Sequence, residues 1–288
     1  MLPTVIAISG MLVAEPAAPS GAGLAAVEIS FVTHAGEGAA GRRRITRGGC
    51  YQSESGGSTG GAAYARDSQA GCHRAGDVAP IFARLDAIPA TALVREQPAA
   101  ATARGGRSSM PGSSEMHVIL IRADGTHWVA ANKATTDDVL RAANELPSEN
   151  QWHAQAPEKS NGTGPQLVVL SAASDRTGGA RFEGALASDG RWWCHRSVIG
   201  DRDEVSKLPA KPAAAVTNPA ARLRRILEGI SPHARDDAPA RKSDGVERSV
   251  EVSWPGQARA PVSARAAATV TQRFGAEMTP LSPTCALR

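Results

Sequence analysis

Large apolar side chains are scarce in this chain. Leu, Ile, Val and Phe supply 50 of 288 residues, aromatics 4%, and 54 Ala swell a nominal hydrophobic share of 42%. A fraction of such residues below about 20% goes with disorder when net charge is also high. The formal charge here is only +4. One well-filled core along the whole length is therefore excluded, and a compact part with looser flanks is expected. Lysine is nearly missing, 5 against 27 Arg. An Arg excess beside abundant Ala and Gly is the residue usage of GC-rich coding DNA and does not by itself mark a nucleic-acid binder. The densest basic patch is Arg42-Arg43-Arg44 with Arg47. A nucleic-acid footprint would add stacking aromatics or a reading helix. Tyr51 alone lies nearby, so the patch reads as a solvated basic loop. No run of about 18 apolar residues is present, so no transmembrane helix is expected.

Leu2–Ala14 is apolar over the length of a signal-peptide core, and Ala14 or Ser20-Gly21-Ala22 offers small residues for cleavage. No Lys or Arg precedes it, and Pro3 and Gly10 interrupt it. Residues 1–25 are read as a candidate signal peptide, with a buried N-terminal strand as the alternative. A periplasmic or secreted location is favoured over a cytoplasmic one. Four cysteines stand at 50, 72, 194 and 285. Cys50 and Cys72 flank a Gly/Ser-rich stretch that a disulfide would constrain in an oxidising compartment. In the cytosol both would be free thiols. Nothing in the sequence pairs Cys194 with Cys285.

Residues 26–94 read as a small strand and helix region. Val27–Val32 is a half-buried strand, and a helix capped by Asp77 carries Ile81, Phe82, Leu85 and Ile88 up to Pro89. Residues 95–115 read as a linker. The clearest pattern lies in 116–230. Met116–Arg122 and His127–Ala130 form a hairpin about Asp124-Gly125, where Gly accepts positive φ. Thr135 and Asp138 have the spacing of a capping box for a helix through Val139, Leu140, Ala143 and Leu146. Leu167–Leu170 is a short apolar strand. Phe182, Ala185 and Leu186 have helical spacing, with a strand as the rival because Gly178, Gly179 and Gly184 intervene. Trp192–Val198 closes the unit. The expected fold class is α+β: a small β-β-α-β-α-β unit with an extra C-terminal helix, flanked by irregular segments. That extra helix has Asn218 as cap, Pro219 at its first position, and Leu223, Ile226, Leu227 and Ile230 on one face. The face docks either on the unit or on a partner. Residues 231–288, thin in apolar side chains and carrying Pro255, Pro261, Pro280 and Pro283, are expected to be irregular apart from the alternating Val250–Trp254.

The stretch 116–199 resembles the periplasmic domain of the ExbD/TolR family of biopolymer-transport proteins. The matching residues are the Asp124-Gly125 hairpin, the helix ending Asn144-Glu145-Leu146, Pro165 before Leu167–Leu170, and Asp175-Arg176 ahead of Arg181-Phe182-Glu183. The resemblance implies a dimeric, non-catalytic domain beside a membrane proton channel. Family members carry an N-terminal transmembrane helix with an acidic residue inside it. Leu2–Ala14 is too short for that helix and Glu15 sits at its end, so ion-driven energy coupling does not carry over.

Three motifs promise chemistry and lack its context. Gly36-Glu37-Gly38-Ala39-Ala40-Gly41 matches a dinucleotide fingerprint, but Arg42–Gly49 cannot open the required apolar helix. Gly56-Gly57-Ser58-Thr59-Gly60 matches a nucleophile elbow, but a polar lead-in replaces the buried strand. Cys72-His73-Arg74 and Cys194-His195-Arg196 repeat a tripeptide, yet adjacent strand residues point to opposite faces and cannot readily share a metal. No catalytic residue, metal site or cofactor is therefore expected. The leading reading is a non-catalytic exported interaction protein, with a protein partner or a second copy as its target. A hydrolase using Ser58, an Arg-driven nucleic-acid binder and a reading frame without evolved function are the alternatives.

Overall fold

In the computed structural model the described residues are 23–33, 39–58, 64–96, 114–147, 152, 164–174, 180–200, 211–230 and 245–287. Residues 1–22 of the candidate signal peptide, most of the expected linker, Gly36-Glu37-Gly38 and Asp175-Arg176 lie outside them, while Leu24 and Ala25 from the end of that candidate segment open β1. The described residues form a single antiparallel sheet of twelve strands, not a small β-β-α-β-α-β unit. In chain order the strands are β1 Leu24–Thr33, β2 Ala39–Thr46, β3 Cys50–Ser58, β4 Tyr64–Cys72, β5 Leu93–Arg95, β6 Ser114–Arg122, β7 His127–Ala130, β8 Leu167–Ser174, β9 Arg181–Ala187, β10 Trp192–Gly200, β11 Val246–Ser253 and β12 Ala260–Pro261. The helices are α1 Ala75–Asp86, α2 Lys133–Asn144, α3 Pro219–Ile226 and α4 Ala264–Met278. Across the sheet the order is β12-β11-β8-β9-β10-β4-β3-β2-β1-β6-β7-β5.

That order contains one unit twice. A meander β1-β2-β3 is followed, after α1, by β6 on the outer side of β1, then β7 and α2. The meander β8-β9-β10 is followed, after α3, by β11 on the outer side of β8, then β12 and α4. The hairpin turns correspond as well, with Gly125 at φ 81° and Gly256 at φ 71°, a left-handed backbone that favours glycine. So do the caps, since Asn132 accepts from the Thr135 amide and Ser263 from the Ala266 amide. Strand β4 stands between the two units.

Each unit covers one face of its own half, and the two faces are opposite. Helices α1 and α2 bury Val78, Phe82, Leu85 and Val139 against Val27, Ile45, Tyr51 and Leu120. Helices α3 and α4 bury Leu223, Ile226, Val270 and Phe274 against Val168, Leu170, Trp192 and Val250. Strand alternation splits neighbours between these cores: Trp192 belongs to one and Trp193 to the other. With few large side chains, fit comes from small ones. Gly184 lets Phe274 approach, for a Cβ there would lie 2.7 Å from its ring.

Several expectations change. Residues 181–187 are a strand, not a helix. Phe182, Gly184 and Leu186 face one core and Ala185 and Ala187 the other, and a strand buried on both faces loses the alternation that would reveal it. The second helix on which the ExbD/TolR likeness drew is therefore absent. Residues 246–287 are ordered as β11, β12 and α4. The prolines at 261 and 280 flank α4 and do not interrupt it, and its buried stripe of Ala267, Val270, Thr271, Phe274 and Met278 uses mostly modest side chains. Helix α1 starts at Ala75, ahead of Asp77, so Pro80 lies inside it; the carbonyl left without that bond belongs to exposed Gly76. Of the two expected uses of the 219–230 helix face, packing within the chain and docking on a partner, the first is found, with Leu223, Ile226 and Leu227 buried and Ile230 packed against the same core.

The close approach at Gly184 sets a prediction. Gly184→Ala will lower stability by about 1–3 kcal/mol, because Phe274 has no room to retreat. Gly76→Ala, where a Cβ meets nothing within 4 Å, will be neutral or stabilising by less than about 1 kcal/mol. Urea denaturation of both variants checks the pair.

Candidate functional site

Because α3 and α4 cover one face of β8–β11, the other face of those strands carries no helix among the described residues. It is floored by side chains in register: Gln69 of β4 lies opposite His195, His195 opposite Glu183, Glu183 opposite Ser171, and Ser171 opposite Ser249. The next row holds Trp193, Ala185, Val169 and Glu251. His195 has a carboxylate on each ring nitrogen, with Glu183 Oε2 3.3 Å from Nδ1 and Asp67 Oδ1 3.2 Å from Nε2. Its ring stacks on buried Trp193 at 6.0 Å, and the Trp193 indole donates to Gln69 Oε1. Arg181 holds the other oxygen of Glu183, and Arg259 lies 3.5 Å from Glu251. Beside this clamp is a cavity of about 130 Å³ lined by Val169, Ser171, Glu183, Trp193, Ser249 and Glu251.

The clamp restricts the chemistry. A general base needs an imidazole nitrogen directed at a nucleophile, and both nitrogens of His195 are directed at carboxylates. The ring is held as a bridge between β4 and β9. Among the described residues no group of three or more His, Cys, Asp or Glu is placed to hold a metal ion.

A second polar cluster sits under the N-terminal helices. His73 stacks on Tyr51 at 4.9 Å, and its buried Nε2 has no hydrogen-bond partner among the described residues. Burial, with Arg43 and Arg191 nearby, lowers its pKa to about 4, against a smaller opposing pull from Asp77. Arg191 lies over Trp152 and is held by Asp189, which also accepts from Arg74. Burial pushes the Asp189 carboxyl up, yet these hydrogen bonds and charges hold it below the usual carboxylate range.

The residues singled out by sequence fall as follows. Cys50 and Cys72 pair across β3 and β4, and Cys194 pairs with Cys285 near the C-terminus. In both Cys-His-Arg repeats alternation sends the sulfur to one face and the imidazole to the other. Gly41 lies within β2, which runs on as strand to Thr46, and Gly56, Gly57 and Ser58 lie within β3, paired to β4; Gly36-Glu37-Gly38 and Thr59-Gly60 lie outside the described residues. Of the basic patch, Arg42–Arg44 lie in strand β2 and not in a loop, while Arg47 lies in the turn after it. Arg42 and Arg44 hold Glu28 on one face, Arg43 donates to the Pro147 carbonyl on the other, and Arg47 bonds the Leu24 carbonyl and Asp86. Glu183 and Asp67 were missed, because they meet His195 through strand pairings 12 and 128 residues apart in the chain. Comparison with protein-family models, with curated proteins and with solved structures finds no match.

The depressed His73 pKa makes a signed prediction. Unfolding raises it towards 6.5, so the unfolded chain binds more protons between about pH 4 and pH 6.5. The contribution is full above pH 6.5, declines as pH falls, and is gone below about pH 4, with a total of up to about 3 kcal/mol. His73→Phe, which keeps the stack on Tyr51, will flatten this part of the stability profile, read by denaturant titrations from pH 4 to pH 7.

Proposed function

We propose that the protein is a non-catalytic binding protein of an oxidising compartment, periplasmic or extracellular, and that it meets its partner on the helix-free face around His195. The observation that carries this reading is the clamp on His195. A polar sheet face whose one imidazole is tied on both nitrogens offers contacts and no proton-transfer dyad. Two disulfides support the compartment. They close loops with separations of 22 and 91 residues, which on the chain-entropy model stabilises by about 3 and about 4–5 kcal/mol. For a chain with two thin cores those contributions are large beside a typical net stability of about 5–15 kcal/mol.

Fractionation of producing cells, with thiols alkylated at lysis and the intact mass then measured, tests the compartment. The expected product lies outside the cytosol with no alkylated cysteine; a cytosolic pool carrying four alkylated thiols overturns it. A photo-cross-linking residue in place of Ser249 tests the surface, against one in place of Asp138 on α2. Position 249 will give a discrete adduct that position 138 does not.

A further inference from the structure

Resting on the binding reading above, we infer that the cavity beside the clamp receives the guanidinium or ammonium head of an Arg or Lys side chain from a partner protein. Its size suits a single side-chain head group. A volume of about 130 Å³ is well below the roughly 300–1,000 Å³ of small-molecule sites, yet it admits one side-chain head group. The lining sorts into two kinds. Glu183, Glu251, Ser171 and Ser249 present oxygens, which accept from the several N–H donors of such a head. Val169 and Trp193 supply the apolar wall along which its methylene stem can lie. The chain itself shows the pairing, because Arg181 and Arg259 reach the same two carboxylates from outside. A carboxylate has about four acceptor sites, so Glu183, which already meets Arg181 and His195, and Glu251, which meets Arg259, each retain capacity for a further donor.

Charge along the face favours a protein segment over a free amine. On β4 and β8–β11 the carboxylates of Asp67, Glu183, Glu247 and Glu251 share this face with Arg181 and His195, and Arg259 reaches it from the β11–β12 turn. The acidic groups lie in different rows along the strands, so a basic extended segment can place one residue in the cavity and others over Asp67 and Glu247. Glu251 is 45% exposed and Asp67 40%, which leaves both accessible.

Nuclear magnetic resonance titration of the full chain with a blocked octapeptide of alternating Gly and Arg tests the inference. The arms are the same peptide with Lys, citrulline or Glu in place of Arg, and free arginine. The Arg and Lys peptides will shift the Trp193 indole and the Ser171 and Ser249 amides. Glu251→Gln will weaken them about tenfold, and Ser249→Lys, which places a chain-borne ammonium in the cavity, will weaken them at least as much. Asp138→Asn on α2 will leave affinity unchanged. Equal binding of the citrulline or Glu peptide overturns the cationic pocket while leaving the face as a docking surface. Free arginine binding as tightly as the peptide overturns the protein partner, and shifts matching those of self-association on dilution assign the face to a second copy. Shifts from the Arg peptide confined to other surfaces overturn the inference outright.

Discussion

The ladder between β4 and β10 holds the molecule together. It joins the five strands β8–β12 to the seven strands β1–β7, each side with its own helix pair, in one continuous sheet, and it fixes which side chains face which layer. A slip of one residue there would exchange Trp192 with Trp193 and Cys194 with His195, sending a disulfide sulfur to the open face and an imidazole into a core. Register at this seam is protected from both sides. Cys194 is tied to Cys285 on one face. On the other, His195 bridges Asp67 and Glu183, and Trp193 reaches Gln69. The candidate site is thus also a device that locks the seam, which explains why a charged cluster persists on a sheet that could otherwise be plain.

Placing the helix pairs on opposite faces has a second consequence. Each half has one face under its own helix pair; the opposite face is polar over much of its area, while Leu167, Ala185, Ala187 and Trp193 of the C-terminal half are buried there in the core shared with α1 and α2. The polar face of the N-terminal half neutralises itself: Glu28 is held by Arg42 and Arg44, and Glu54 by Arg66 and Ser68. The polar face of the C-terminal half keeps an excess of carboxylates and a cavity beside them. The two units share a topology and differ in the chemistry of their polar faces.

Local features were legible wherever one segment carried its own signal. The Asp124-Gly125 hairpin, the apolar stripe of α1, the Leu167–Leu170 strand and the inward face of α3 all follow from spacing and turn residues. Strand β9 was not legible, because burial on both faces erased its alternation and left Phe182, Ala185 and Leu186 at helical spacing. Helix α4 was hidden by a stripe that includes Ala and Thr and by prolines that flank it. The Arg42–Arg44 run looked like a loop because its two partners, Glu28 and the Pro147 carbonyl, lie elsewhere in the chain.

The sequence alone determined the local hardware: turns where Gly takes positive φ, strands of apolar residues, and the alternation that parts each Cys from its neighbouring His; the caps it suggested at Asp77 and Thr135 fall instead at Arg74 and Asn132. These depend on contacts within a few residues. Tertiary structure decided that the strands would form one sheet, that Cys194 would find Cys285, and that Asp67 and Glu183 would flank His195. Those outcomes depend on which strand edges meet and in what register, a choice made by the summed fit of two cores rather than by any single stretch of chain.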